Sequence, residues 1–219
     1  MKKFLVFLVA LFFTLPLFAQ IEQGQSMISG NLGLGFQLNN SGIQYSAAGS
    51  KLDWGSLGAD YGLTYNYFVD KYIGVGAEIS GGDYDGANLT FSNSDEANSS
   101  VHLFKAMLAV RLNANPESRF RFYIPFGAGF VSAKQDMDID YLGTKYNNKK
   151  TDNSFGWFLG AGLEFDVGGN GWSWGLESRY NVFTYDTDKL VKDAPAPIQG
   201  GGKRKYDYMN FMIRISKRF

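Results

Sequence analysis

The chain has 219 residues, 21 Lys and Arg against 21 Asp and Glu, and no cysteine. Balanced charge leaves no basic footprint for nucleic acid, and the absence of thiols excludes a disulfide framework, a thiolate metal site and a lipid-modified cysteine. Glycine is abundant at 27 residues, aromatics reach 16% and mean hydropathy is only −0.19, which suits many short amphipathic strands better than membrane helices.

Residues 1–19 read as a secretory signal peptide: Lys2 and Lys3, an apolar run over 4–13, then a stretch ending in Ala19. The run is shorter than the roughly 20 residues a spanning helix needs, and the segment after it is polar. Cleavage after Ala19 is expected, although Leu17 is larger than the residue usually found two positions before the last. Removing the leader takes two lysines with it and leaves a slightly acidic mature chain. Residues 20–219 are expected to form one domain.

Beyond the leader no apolar run is long enough for a spanning helix, so a membrane crossing would have to be β, with period-two alternation as its signature. Eight segments carry it. The first sets Ile28, Leu32, Leu34 and Phe36 against Ser29, Asn31 and Gln37. The second sets Leu57, Tyr61, Leu63, Tyr65 and Tyr67 against Asp60, Thr64 and Asn66. In the third, Ile73, Val75, Ala77 and Ile79 oppose Glu78 and Ser80. In the fourth, Phe104, Leu108, Val110 and Leu112 oppose Lys105, Met107 and Arg111.

The fifth alternates Phe120, Phe122, Ile124, Phe126 and Phe130 with Arg121, Tyr123 and Pro125, where the proline removes a ladder donor. The sixth alternates Phe155, Trp157, Leu159, Leu163 and Phe165 with Phe158 and Glu164. The seventh alternates Trp172, Trp174, Leu176, Tyr180 and Val182 with Ser173, Glu177, Arg179 and Asn181. The eighth alternates Met209, Phe211, Ile213, Ile215 and Phe219 with Tyr208, Asn210, Arg214 and Arg218. Each segment approaches the roughly 9 to 11 residues of a tilted membrane strand.

The connections alternate in length: long at 38–56, short at 68–72, long at 81–100, short at 113–119, long at 132–153, short at 166–171 and long at 184–205. Short periplasmic turns and longer extracellular loops produce this alternation, and a soluble sandwich has no reason to. Aromatics gather at the short-turn ends (Tyr65, Tyr67, Tyr72, Phe120, Phe165, Trp172, Trp174), where rings sit at headgroup level. The expectation is an all-β, eight-stranded antiparallel up-and-down transmembrane β-barrel.

The segments Pro125-Phe126-Gly127-Ala128-Gly129-Phe130, Gly160-Ala161-Gly162-Leu163-Glu164-Phe165 and Trp172-Ser173-Trp174-Gly175-Leu176-Glu177-Ser178-Arg179-Tyr180 resemble the small outer-membrane barrels of the OmpA and OmpX type. Phe219 resembles the family's C-terminal assembly signal, which implies engagement of the barrel-assembly machinery. The resemblance implies residence in the outer membrane of a Gram-negative cell envelope. It does not extend to a peptidoglycan-binding domain.

Alternation places Asp60, Glu78, Lys105, Arg111, Glu164, Glu177, Arg179 and Arg214 on the inner face. An eight-stranded barrel is just wide enough to be filled by side chains, and buried charges are costly unless paired, so a salt-bridged plug is expected. A narrow porin-like pore is the alternative. A lipid A-modifying enzyme is a second one: His102, the only histidine, follows Asp95, Glu96, Ser99 and Ser100, but alternation turns it toward lipid without a motif to fix a catalytic geometry.

The Gly-x-Gly pairs (Gly33/Gly35, Gly74/Gly76, Gly127/Gly129, Gly160/Gly162) open no helix and are no phosphate fingerprint; on the inner face they would make room for long charged side chains. Acids at Asp83, Asp85, Asp95, Glu96, Asp136, Asp138 and Asp140 match no calcium loop, so neither metal nor cofactor is expected. Lys203, Arg204 and Lys205, just outside the eighth segment, are candidates for lipopolysaccharide contact. The expected role is structural or surface-interacting, toward outer-membrane lipid, lipopolysaccharide and an unidentified extracellular ligand met through four loops.

Overall fold

The computed structural model describes residues 21–38, 43–45, 50–52, 57–85, 89–90, 96–141, 143–167, 170–192, 198–199 and 202–219; the leader, with its cleavage site, lies outside them. Eight long strands dominate: β1 (Ser26–Gln37), β2 (Leu57–Asp70), β3 (Ile73–Asp85), β4 (Glu96–Asn113), β5 (Phe120–Tyr141), β6 (Thr144–Val167), β7 (Trp172–Asp186) and β8 (Lys203–Arg218). Each pairs antiparallel with its neighbours in sequence, and β8 returns to β1. The sheet is therefore a closed up-and-down barrel, the one way strands can satisfy every backbone donor and acceptor inside a bilayer. Closure continues through Phe219, which exchanges two backbone hydrogen bonds with Ser26 (2.9 and 3.0 Å).

The period-two pattern sorts the faces. Leu32, Leu63, Ile79, Leu108, Phe155, Leu176 and Ile213 all stand more than half exposed on the outer wall, while Arg111, Arg121, Arg214, Tyr123 and Phe158 are fully buried inside. That inversion of a soluble core is what lipid as solvent demands. On the outer wall the apolar belt ends upward at Phe104 on β4 and Phe130 on β5, where His102 and Ser132 follow.

Two of the connections expected as loops, 81–100 and 132–153, are largely strand, and strand also enters both ends of the one at 184–205. The segment 132–153 is a hairpin: β5 and β6 stay in register from Ser132↔Asn153 to Tyr141↔Thr144, turning at Gly143, whose φ of 75° favours glycine. β4 begins at Glu96, β3 continues to Asp85 and β8 begins at Lys203. Alternation persists in these extensions, but with Lys134, Asp136 and Asp138 opposite Thr151, Lys149 and Asn147 on the outer face. Water replaces lipid there, so the outer face turns polar while the strand continues, and on β5 the apolar residues Val131, Ala133, Met137 and Ile139 are those turned inward.

Proline in a closed wall is accommodated on one side only. Pro125 stays in register with Arg111 of β4, while the ladder to β6 skips from Tyr123↔Gly162 to Phe126↔Leu159, as expected for a residue without an N–H.

Short pieces complete the description: a three-stranded sheet of Ile198–Gln199, Ile43–Tyr45 and Ser50–Leu52, a strand Leu89–Thr90 against Glu96 and Ala97, and a helical turn Asp188–Val191.

Candidate functional site

The lumen is filled in layers. At the short-turn end Ile21, Met27 and Phe68 form an apolar floor, with the segment before β1 tied beneath by Ile21 N to Pro116 O (3.1 Å) and Gly24 N to Phe68 O (2.8 Å). Above it, Asp166 accepts from Arg121 and from Arg218 (2.6 Å), and Glu164 accepts from Arg121 and Arg111 (both 2.7 Å).

The middle layer is built on Arg179 and Arg214. Arg179 bridges Glu78 (2.6 Å) and Glu177, and Arg214 donates to Glu177 (2.7 Å) and to Ser29 Oγ (3.0 Å). The Tyr123 hydroxyl donates to Glu177 (2.6 Å) and Thr64 to Glu78 (3.0 Å). Guanidinium planes cover rings, Arg111 at 3.7 Å from the Tyr123 centroid and Arg179 at 4.1 Å from that of Phe158. Higher still, Asp60 accepts from Lys105 (3.2 Å), the Tyr84 hydroxyl (2.5 Å) and Asn210 (3.3 Å), while Lys105 also donates to Tyr208 (2.7 Å).

Over these ionic layers sits a cap of Tyr84, Val101, Leu103, Phe183, Tyr185, Tyr206 and Tyr208, with the Phe183 and Tyr206 rings 4.8 Å apart. The lumen thus changes from salt bridges to packed rings toward the outside.

All eight charges placed inside by alternation, Asp60, Glu78, Lys105, Arg111, Glu164, Glu177, Arg179 and Arg214, are buried in the lumen. The same network includes three more that sequence reasoning left out: Arg121, Asp166 and Arg218. Arg121 and Arg218 lie on the inner face of their strands, but Asp166 falls in a segment read as a turn, so the acid joining them was missing. A cavity of about 10 Å³ remains between Glu78, Arg111, Arg179 and Arg214, room for about one water.

The inner-face glycines make room mostly for rings rather than for long charges. A Cβ on Gly162 would stand 2.1 Å from Tyr123, one on Gly127 2.3 Å from Phe158 and one on Gly35 2.1 Å from the Tyr84 hydroxyl; charged side chains come close at Gly35, 2.8 Å from Asp60, and at Gly160, 2.9 Å from Arg179.

On the outer wall, His102 lies at the upper edge of the apolar belt and Asp83 directly opposite it. The two side chains are half exposed and 2.6 Å apart, Nδ1 to Oδ1, and Tyr61 donates to the other Asp83 oxygen (3.3 Å). Asp83 belongs to β3 and not to a loop. Lys203, Arg204 and Lys205 are the first residues of β8 rather than loop beyond it; they are exposed, with Lys205 near Asp207 (3.7 Å) and the Tyr180 hydroxyl (3.3 Å). Asp136, Asp138 and Asp140 are likewise strand residues, and Asp95 lies outside the described residues. Among the described residues no cluster of three metal-ligating side chains occurs. Phe219 is exposed on the outer wall.

A family model described as outer membrane protein beta-barrel domain matches residues 5–219. The chain belongs to that family. It is a bacterial outer-membrane protein, and by the family's rule its short turns face the periplasm and its long hairpins the exterior. A search of curated proteins finds no match. Among solved structures, the outer membrane protein OprG from Pseudomonas aeruginosa is similar with a TM-score of 0.56 at 15% identity, over 92% of this chain and 98% of that one. Neisserial surface protein A gives 0.49 at 12% identity, over 90% and 100%. The attachment invasion locus protein of Yersinia pestis, in complex with a heparin analogue, gives 0.46 at 18% identity, over 90% and 99%. At these identities the likeness to OprG speaks for the fold alone.

Proposed function

We propose that this barrel is a closed scaffold that displays an extracellular surface, and that its lumen is a plug rather than a path. The observation that carries the reading is the unbroken filling of the lumen, from the Ile21 floor through three ionic layers to the tyrosine cap. Buried ions packed this way are costly to separate, so partner exchange during conduction would be slow. That argues against the narrow-pore alternative.

The displayed surface is the sheet of β4, β5 and β6 that rises beyond the apolar belt. Its outer face is a cross-strand pattern of charge, with Lys149 paired to Asp136 (2.9 Å) and Asn147 bonded to Asp138. A stiff, charged sheet standing clear of the membrane suits contact with another surface better than a disordered loop does, since little ordering entropy is lost on binding. Contact of Lys203, Arg204 and Lys205 with lipopolysaccharide phosphates fits the same picture.

The test is cell attachment. Cells carrying the full barrel and cells carrying a variant with residues 136–149 replaced by a short turn are compared for retention on immobilised host matrix and on neighbouring bacterial cells. Loss of retention with equal surface expression supports the reading; equal retention on every surface removes the hairpin as the working part.

A further inference from the structure

The membrane-facing wall is uneven. Over β5, β6 and β7 it is built of rings such as Phe126, Trp157 and Trp174, whereas over β1 to β3 the outward positions Gly30, Ala77 and Gly81 are small. Around them Ile28, Leu32, Leu63, Ile79, Phe104 and Ile213 enclose a groove of about 1120 Å³ with an almost wholly apolar lining. From Ile28 to Leu32 it runs roughly 13 Å along the strand, at about 3.3 Å per residue.

The two ends of the groove differ. At its outer end stand Tyr61 and Phe104, and one outward position further come Asp83 and His102, held together as above. Next to His102 across the β4–β5 ladder is Lys134, half exposed. The Asp83 carboxylate is engaged by its neighbours in the wall. His102 Nδ1 is engaged as well, and Lys134 lies 3.9 Å from the Asp136 carboxylate, so the atoms left facing an external group are His102 Nε2 and the outward side of the Lys134 ammonium; the ammonium suits an anion, and Nε2 does so when the ring carries both protons. Neither the lining of this groove nor that of a second outer-wall groove, of about 620 Å³ around Ala161, contains a charged residue; the first is singled out by Asp83, His102 and Lys134 standing just beyond its outer end.

We propose that the first groove is a lipid site that holds one acyl chain of lipopolysaccharide, with a lipid A phosphate on His102 and Lys134. The polar end lies on the side of the long hairpins, so the occupant belongs to the outer leaflet, and lipopolysaccharide is the phosphate-bearing lipid there. This site is separate from the Lys203 to Lys205 contact and does not depend on whether the lumen conducts.

The refolded full barrel in detergent is titrated separately with purified lipid A and with phosphatidylethanolamine, and bound lipids are counted by native mass spectrometry. Wild type is expected to retain one lipid A, at least tenfold more tightly than phosphatidylethanolamine. A Cβ on Gly30 meets nothing closer than Leu63 Cδ2 at 4.0 Å, so Gly30→Phe can fill the groove without disturbing the wall; it should weaken retention about tenfold, as should His102→Ala combined with Lys134→Ala. Ala77→Phe gives the same reading should Gly30→Phe fail to fold, as judged by heat-dependent migration in SDS. Ala161→Phe, which fills the second groove, should change nothing. Equal retention in all variants would mean annular lipid only and overturn the proposal, as would a preference for phosphatidylethanolamine or a dimer of the barrel that Gly30→Phe dissolves.

Discussion

Arg179 reaches across the lumen to Glu78 while also holding Glu177 and covering Phe158. Removing it leaves two carboxylates buried without their main partner, and Arg179→Ala should lower stability by about 3 to 5 kcal/mol, read as a shift in the urea midpoint of the lipid-reconstituted barrel. A shift corresponding to less than about 1 kcal/mol would mean that water reaches the layer. Gly162→Ala puts a methyl where Tyr123 stands and should cost about 1 to 3 kcal/mol; an unchanged midpoint would mean the ring moves aside freely. At this scale the sequence tells which face a side chain takes but not what it meets. Alternation assigns Glu177 and Arg179 to the interior, yet the two lie on the same strand, and the Arg179 partner on β3, Glu78, is 101 positions away. Pairs of that separation are set by closure of the barrel, which no local pattern encodes.

The hairpin of β5 and β6 is the element whose length the residues disguise. Inside the bilayer its alternation reads apolar outward against polar inward; beyond Phe130 the phase inverts on β5, with Val131, Ala133, Met137 and Ile139 buried and polar groups outward, while the facing part of β6 is mostly polar, so the segment looks like a loop. Its outer part should be dispensable for folding, because the belt residues and the lumen layers lie below it. Replacing residues 136–149 by a short turn should leave heat-dependent migration in SDS and the urea midpoint unchanged, whereas loss of folded barrel would make the extension part of the folding unit. The pair of Asp136 and Lys149 tunes its order with pH: the bond to Asp136 holds the Lys149 ammonium above its ordinary value of 10.5. A raised folded value means that the stabilisation is present below the ordinary lysine range and fades as pH climbs through the folded value. Both groups meet solvent, so the effect is small. A spin label at Thr151 should keep constant mobility from pH 6 to about 10 and loosen above it; loosening that begins near neutrality would contradict the assignment.

For the whole molecule, period-two alternation and the strict alternation of connection length are enough to specify an eight-stranded barrel, because lipid tolerates no open sheet edge and each slip of register would turn a face of charges toward the bilayer. They do not specify whether the barrel conducts, which depends on how completely side chains from eight strands fill one another's space. The rings that cap the lumen illustrate the gap: Phe183 stands just beyond the segment read as the seventh strand, Tyr84 and Tyr185 fall in connections read as loops, and Tyr206 comes just after the last of them, yet all four close the outer mouth. Single-channel recording of the refolded protein in a planar bilayer, alongside Arg179→Ala and Glu177→Ala, tests that closure most directly. A silent wild type is the predicted result; steady openings in wild type whose conductance changes in either variant would make the lumen the working part and contradict it.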